Sequence, residues 1–397
     1  MQNRRYLSAG TVMRTIGLCC CYANHNYGSM LQAYANIKVI ESLGNKCEIV
    51  NYVKDLTLPE KLRWAPRVLN SYNLKKQSLG RKRKRLLSKN PEIARQISIR
   101  NSAFDRFKNK TFTKYLSKPF VGYKQLVKGS SRYDAVMVGS DQLWLPSGLA
   151  TNFYNLQFVL PGIRRISYAT SFGTESIPWY QISRTKKYLE KIDYLSVREA
   201  AGAELVESLI HKEPAIVVDP TLLLDKETWL KEIPNDFDIS DYIFCYFLGN
   251  NTISRDDAQK LRIATGLPIV VLKHLDDIYL DDENFGDIPL YDVDPSNFIN
   301  LIRNASYVLT DSFHGTVFSI INEKKFATYY RFKTSDKQSR NSRIDSLLDR
   351  TSLRARLVNN EACLFDFIYH DWNYEGVKYE LDTWRTRSWG FLKEALS

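Results

Sequence analysis

Short apolar runs recur along the chain, and polar loops containing Gly, Asn or Asp separate them. Thr15–Tyr22 (TIGLCCCY) is continuously apolar, the pattern of a strand buried on both faces. A polar loop, Asn24 to Gly28, follows it. Ser29 is then in place to cap a helix over Met30–Leu43, whose apolar positions Leu31, Tyr34, Ile37 and Ile40 keep the helical period. Gly44 ends that helix, and Cys47–Tyr52 predicts a second strand. A β-α-β opening of this kind marks a parallel, doubly wound sheet.

The spacing predicts further strands at Tyr133–Val138, Arg165–Thr170, Tyr194–Val197 and Ile216–Val218, with a helix over Ala200–Leu209. Residues 60–120 read as a helical, basic insertion. The pattern then restarts. Strands are expected at Tyr242–Phe247, Pro268–Leu272, Tyr307–Thr310 and Phe326–Tyr330, and helices at Asp256–Thr265, Phe298–Asn304 and Thr316–Asn322. The expected fold class is therefore α/β with two Rossmann-like domains. The first covers 13–220 and the second 241–370, with a crossing at 221–240 and an aromatic helical tail at 371–397. No internal repeat of short period is present.

Composition narrows the picture. The 397 residues are 44% hydrophobic and 25% charged, which suits two globular domains. No apolar run approaches the roughly 20 residues that span a bilayer. Met1–Val12 lacks an apolar signal core, and Met13 stands directly before the first strand, so the first dozen residues read as a dispensable extension. Six cysteines occur without a Cys-x-x-Cys pair and His is scarce. Neither a disulfide framework nor a metal site is expected, and a reducing cytoplasm fits. The net charge of +12 is local: Lys61–Ser130 holds 20 Lys and Arg against two acids, Glu92 and Asp105.

Ligands of open parallel sheets bind beyond the carboxyl ends of the strands, so the loops there are the candidates for chemistry. Asp311-Ser312-Phe313-His314-Gly315 follows an apolar strand and opens a helix. The unbonded N–H groups of that helix end attract an anion, and Gly315 permits close backbone approach. His314 there suits a general acid that gains its proton together with an anionic substrate. A packed histidine in a capping loop is the plainer alternative. Arg198 directly follows a buried strand, where it either pairs with an acid or clamps an anion. Gly139-Ser140-Asp141-Gln142 with Trp144 offers an acid, an amide and an aromatic face suited to a sugar, or else a helix cap with a core tryptophan. Asn26-Tyr27-Gly28-Ser29 is weak taken alone. Lys273-His274, Arg331, Arg340 and Arg343 follow strands of the second half.

Together these loops resemble the polysaccharide pyruvyl transferase family. The matching pieces are Asn26–Gln32, Gly139–Trp144, Ser196–Glu199, Val218–Thr221, Asp311–Gly315 and Asn341–Ile344, in the family's order. The resemblance implies a fold of the GT-B type. It also implies phosphoenolpyruvate as donor substrate without a further cofactor, and a pyruvate ketal built on a sugar, commonly across O4 and O6. His314 and Arg198 would then be catalytic, with Asp141 as base. Arg198, Ser312, Phe313, His314, Gly315, Lys273, Arg331 and Arg343 would hold the donor. Asn26, Tyr27, Gly28, Asp141, Gln142 and Trp144 would meet the acceptor. No metal is required, since arginines can stabilise the charge. The acceptor would be a capsular or cell-surface polysaccharide precursor, on undecaprenyl diphosphate if it is lipid-linked.

The basic run Arg81–Arg85 reads as a solvated helix face or as a contact for an anionic membrane surface, at the inner face of the cell membrane. No nucleic-acid recognition module surrounds it, which argues against nucleic acid. Trp384, Trp389, Phe391 and Leu392 either join that membrane interface or pack a terminal helix back onto the first domain. A nucleotide-sugar glycosyltransferase and a non-catalytic binding protein on the same scaffold are the competing readings.

Overall fold

A computed structural model describes residues 13–55, 90–146, 152–237, 239–276, 282, 284–332, 341–359 and 363–397. Met1–Val12, the Arg81–Arg85 run and Arg340 lie outside the described residues. The first domain contains β1 (Thr15–Cys19), β2 (Lys46–Ile49), β5 (Ala135–Val138), β6 (Arg164–Thr170), β7 (Tyr194–Val197) and β8 (Ala215–Ile216). They form one parallel sheet in the order β2-β1-β5-β6-β7-β8. A separate parallel pair joins β3 (Tyr52–Val53) to β4 (Phe120–Val121). The second domain contains β9 (Ile243–Tyr246), β10 (Ile269–Leu272), β11 (Ile288–Leu290), β12 (Tyr307–Thr310), β13 (Lys325–Tyr329) and β14 (Leu357–Val358). These also form one parallel sheet, in the order β11-β10-β9-β12-β13-β14.

The helices in chain order are α1 (Tyr27–Ser42), α2 (Pro91–Phe112), α3 (Gly122–Gly129), α4 (Ile182–Leu189), α5 (Ala200–Ile210), α6 (Pro220–Leu223) and α7 (Lys226–Glu232). They continue with α8 (Thr252–Thr265), α9 (Pro295–Asn304), α10 (Phe313–Ile321), α11 (Ser342–Arg350) and α12 (Tyr374–Leu396). α1 starts earlier than the sequence predicts. Asn26, not Ser29, is its cap, and the Asn26 side chain accepts from the Ser29 N–H at 2.9 Å. The extended β11 and the two-residue β14 have too little apolar pattern to be read from sequence, and β11 carries Pro289, which suits its place at the sheet edge.

In each sheet the chain reverses its direction of travel beside the first strand, between β1 and β5 and again between β9 and β12. These two switch points face each other across the interdomain cleft, the GT-B-type arrangement of two Rossmann-like domains. α1 holds them together. Seven successive residues, Tyr27 to Ala33, are buried, because α1 lies between its own sheet and the second domain. The Tyr27 ring stacks on Phe298 of α9 at 4.8 Å and lies against Phe104 of α2 at 4.6 Å. Its hydroxyl donates to the Val293 carbonyl at 3.0 Å. Stacked pairs of this kind add about 0.5–1.5 kcal/mol beyond burial.

The described part of the basic insertion is largely spent on ion pairs. Arg100 of α2 meets Asp276 at 2.8 Å, and Arg106 meets Asp292, both across the domain boundary. Lys108 pairs with Asp105 and Arg95 with Glu92 along the helix itself. The C-terminal α12 returns to the first domain. Trp384 donates to the Ile216 carbonyl at 3.1 Å, and Ser388 accepts from the Val218 N–H at 3.0 Å. Trp384 and Leu392 are buried, and Trp389 and Phe391 pack half-buried against the same core. The tail therefore belongs to the first domain's packing and is not displayed as a membrane-facing aromatic surface. Among the described residues, no helix is long and apolar enough to cross a membrane.

Candidate active site

At the facing switch points lies a cavity of ≈ 230 Å³. After β1 come Asn24, Asn26 and Ser29; after β5, Asp141 and Gln142; after β12, Asp311 to His314; and after β13, Arg331 and Phe332, with Asn341 and Arg343 from the start of α11. The lining thus comes from strand ends of both domains, as the sheet topology requires.

His314 stands in the first turn of α10, which Ser312 caps by accepting from the Gly315 N–H at 3.3 Å. The first N–H groups of that helix have no intrahelical acceptor and face an anion favourably. The imidazole packs directly on Gly28 of α1: a Cβ at position 28 would lie 2.0 Å from Nδ1 of His314. Gly28 is thus a seat for the histidine. On the other nitrogen, Nε2 lies 3.7 Å from Oδ1 of Asp219 and has no hydrogen-bond partner among the described residues. Gly315 has a structural role also. A Cβ there would stand 2.6 Å from Oγ1 of Thr310, so the glycine lets α10 close on β12.

Asp219 follows β8 and organises what surrounds it. It accepts from Ser140 at 2.7 Å, from Nη1 of Arg198 at 2.7 Å, and from both the backbone N–H and the hydroxyl of Thr221. Burial pushes its carboxyl up. The positive charge of His314, the Arg198 guanidinium and the Thr221 hydrogen bonds outweigh this and hold it well below the usual range. Arg198 itself is only 3% exposed. Burial would lower its pKa, but Asp219, Glu199 and Asp141 raise it above the ordinary value. It stacks over the Phe313 ring at 4.4 Å and does not reach the cavity wall. Nη1 of Arg198 neutralises Asp219 behind Phe313, while its buried Nε and Nη2 have no hydrogen-bond partner among the described residues. The arginines that line the cavity, among the described residues, are Arg331 and Arg343, the latter 5.7 Å from the same ring.

Asp141 lies in the left-handed region at φ +84°. Such a conformation costs a non-glycine residue about 1–3 kcal/mol and is characteristic of functional sites. Local hydrogen bonds hold it: Oδ1 accepts from the Gln142 N–H at 2.8 Å and Oδ2 from the Ser29 hydroxyl at 2.6 Å. Its carboxylate thereby faces the cavity across from Ser312 and His314. Asp311 plays a different part. Its two oxygens accept from the backbone N–H groups of Leu248 and Gly249 at 2.6 and 2.7 Å, tying the end of β12 to the loop after β9.

Three expected site residues stand elsewhere. Trp144 is fully buried among Phe172 and Tyr188 and donates to the Tyr154 carbonyl at 3.0 Å, so it is a core residue and offers no sugar-stacking face. Tyr27 is the interdomain packing residue described above. Lys273, beyond β10, donates to the carbonyls of Asp282 and Phe285; burial lowers its pKa, and it does not line the cavity. Sequence reasoning did not foresee the roles of Asp219, Gly28 and Asn341. Asn341 clamps residue 332 by donating to the Phe332 carbonyl at 2.8 Å. The available signal was the Asp219-Pro220 pair at a strand end, the same position in the sheet that singled out the other loops. Among the described residues, no three His, Cys, Asp or Glu side chains cluster as a metal site. All six cysteines are free.

Fold and cavity together define a two-domain α/β protein with a polar cavity, lined by arginines, aspartates and a histidine, between paired Rossmann-like sheets. The chain belongs to the polysaccharide pyruvyl transferase family, whose model matches residues 26–331. No curated protein matches it. Among solved structures it is similar to UDP-GlcNAc 2-epimerase from Methanocaldococcus jannaschii, at 12% identity over 93% of this chain and 92% of the other, TM-score 0.46. It is also similar to the Neisseria meningitidis UDP-GlcNAc 2-epimerase, at 9% identity over 95% and 94%, TM-score 0.46. An α-glucosyltransferase in complex with UDP and DNA is similar at 11% identity over 97% and 95%, TM-score 0.47.

Proposed function

We propose that this protein transfers pyruvate from phosphoenolpyruvate to a hexose of a polysaccharide precursor and closes a ketal, with the O4/O6 diol of galactose or a related sugar as acceptor. The observation that carries this reading is the pairing of His314 with Arg331 and Arg343 around one cavity at a helix N-terminus. That set suits a donor bearing both a carboxylate and a phosphate.

In this reading Arg331, Arg343 and the start of α10 bind the two anionic groups. His314 gives its proton to the methylene carbon of the donor, the C=C π electrons form the new C–H bond, and C2 becomes oxocarbenium-like. A sugar hydroxyl adds to C2 and loses its proton to Asp141. The C2–O bond to phosphate then breaks, and the leaving phosphate takes the bonding pair. The second hydroxyl adds to C2, gives its proton to the now neutral His314, and closes the ring. Asp219 keeps His314 in place from behind, and Arg198 balances the charge of Asp219. General-acid assistance of this kind contributes about 10²–10⁴-fold.

The family supports a polysaccharide acceptor. We place that acceptor on a lipid diphosphate at the inner face of the cell membrane, with the basic run Arg81–Arg85 as the supporting feature. The test is phosphate release from phosphoenolpyruvate with lipid-linked oligosaccharides, read together with the mass gain of one pyruvate ketal. His314→Ala is expected to abolish both while the protein stays folded. A fully active His314→Ala would sink the assignment.

A further inference from the structure

A second, more open cavity of ≈ 460 Å³ adjoins the first, lined by Asn24, His25, Asn26, Arg100, Asn101 and Asp276. Its volume falls within the range of small-molecule sites, about 300–1,000 Å³. Asn24 and Asn26 line both cavities, so occupants of the two would meet at those residues.

The chemistry of the two walls differs. The first cavity carries Arg331, Arg343 and His314 together with the carboxylates of Asp141 and Asp311, the latter taken up by the backbone N–H groups of Leu248 and Gly249. In the second the charges are matched. Arg100 meets Asp276 at 2.8 Å, and His25 lies 3.3 Å from Asp105. What remains is three amides and one guanidinium–carboxylate fork, which present donors and acceptors without net charge. Such a set pairs with hydroxyl groups and gives an anion no advantage. The site is built on rigid parts: Arg100 is only 6% exposed on α2, and the His25 ring stacks on Phe104 at 5.5 Å. It also holds an unused donor, since the buried Nε of Arg100 has no hydrogen-bond partner among the described residues. A buried N–H without a partner costs stability unless a ligand or water completes it.

We propose that this cavity is the acceptor-sugar subsite. A neutral pyranose binds there through its hydroxyls, held by Asn24, Asn101 and the Arg100–Asp276 fork, and presents its reacting hydroxyls past Asn26 to the first cavity. The Arg100–Asp276 pair joins the two domains, so both contribute to the subsite. The identity of the reaction rests on the pyruvyl-transfer reading; the sugar class rests on the cavity itself.

The test uses the full chain and three probes: methyl β-D-galactopyranoside, methyl β-D-glucopyranoside and methyl N-acetyl-β-D-mannosaminide. Binding is read by saturation-transfer NMR for the wild type, Asn101→Ala, Asn101→Leu and Arg100→Met. At least one glycoside should bind the wild type. Asn101→Ala, a half-buried position whose loss leaves the helix intact, should weaken that binding about five- to tenfold, the worth of one hydrogen bond. Asn101→Leu and Arg100→Met should remove it, and inorganic phosphate should not displace the sugar. The proposal is overturned if no glycoside binds, if Asn101→Leu binds as the wild type does, or if phosphate competes. Phosphoenolpyruvate cleavage, measured in parallel, separates the two ideas. Sugar binding sensitive to Asn101 without cleavage keeps the subsite and removes the pyruvyl reading. Cleavage with an acceptor KM indifferent to Asn101→Leu does the reverse.

Discussion

Two guanidiniums approach the ring of Phe313, Arg198 at 4.4 Å and Arg343 at 5.7 Å, and their surroundings differ. Arg198 is buried among Asp219, Glu199 and Asp141. Arg343 stands half-buried at the cavity wall. The same side chain thus serves as an internal counter-charge in one place and lines the open cavity in the other. What separates them is burial: Arg198 is enclosed behind Phe313, whereas Arg343 lines the cavity. A strand-end arginine in a cleft is therefore no evidence of ligand contact until its partners have been traced.

The sharpest way to break this contrast is to truncate both. Arg198→Ala leaves buried Asp219 and Glu199 without their cation and is expected to cost about 3–5 kcal/mol in denaturant unfolding, with loss of activity. Arg343→Ala should cost less stability than Arg198→Ala and raise the KM for phosphoenolpyruvate about tenfold or more, one charge-assisted hydrogen bond. Equal stability losses in the two variants would remove the distinction.

Gly28→Ala tests whether the histidine between the two cation sets is held by packing. The added methyl would stand 2.0 Å from Nδ1 of His314, so the ring must move. A displacement near 1 Å can cost about 10² in rate. The stability penalty of Gly28→Ala should shrink in a His314→Ala background, and an undiminished penalty would place the strain elsewhere.

The buried side of the comparison also predicts a pH response. Asp219 is depressed below the ordinary carboxylate value, with burial opposing and the charges of His314 and Arg198 prevailing. Its contribution to stability is therefore present above the unfolded value, near about 3.9, and is lost as pH falls through the lower folded one. The stability advantage of the wild type over Asp219→Asn should narrow as pH falls below about 4. An advantage that stays level down to about pH 2 would contradict the assignment. Smallest of all is Trp144→Phe. It should lose about 1 kcal/mol with the hydrogen bond to Tyr154 and leave the acceptor KM unchanged.

Much of this was legible in the chain because buried parallel strands leave continuous apolar runs. Tyr194–Val197 and Tyr307–Thr310 stand where the pattern puts them. The rule that ligands gather at strand ends led to Asp141, His314, Arg331 and Arg343, which now line one cavity. Pattern alone could not say which polar residue would be spent internally. Arg198 and Asp219 are 21 positions apart, and only the folded sheet brings them to 2.7 Å. Trp144 follows an acid and an amide in sequence, yet turns into the core because the left-handed Asp141 redirects the backbone there.

The return of α12 to the first domain means that the polypeptide passes between the two halves twice, once before β9 and again after β14. A lobe on one tether could swivel in any direction. A lobe on two tethers behaves like a door on a pair of hinges, with one easy axis and little freedom across it. Opening and closing would then bring the same loops back into register on every turnover.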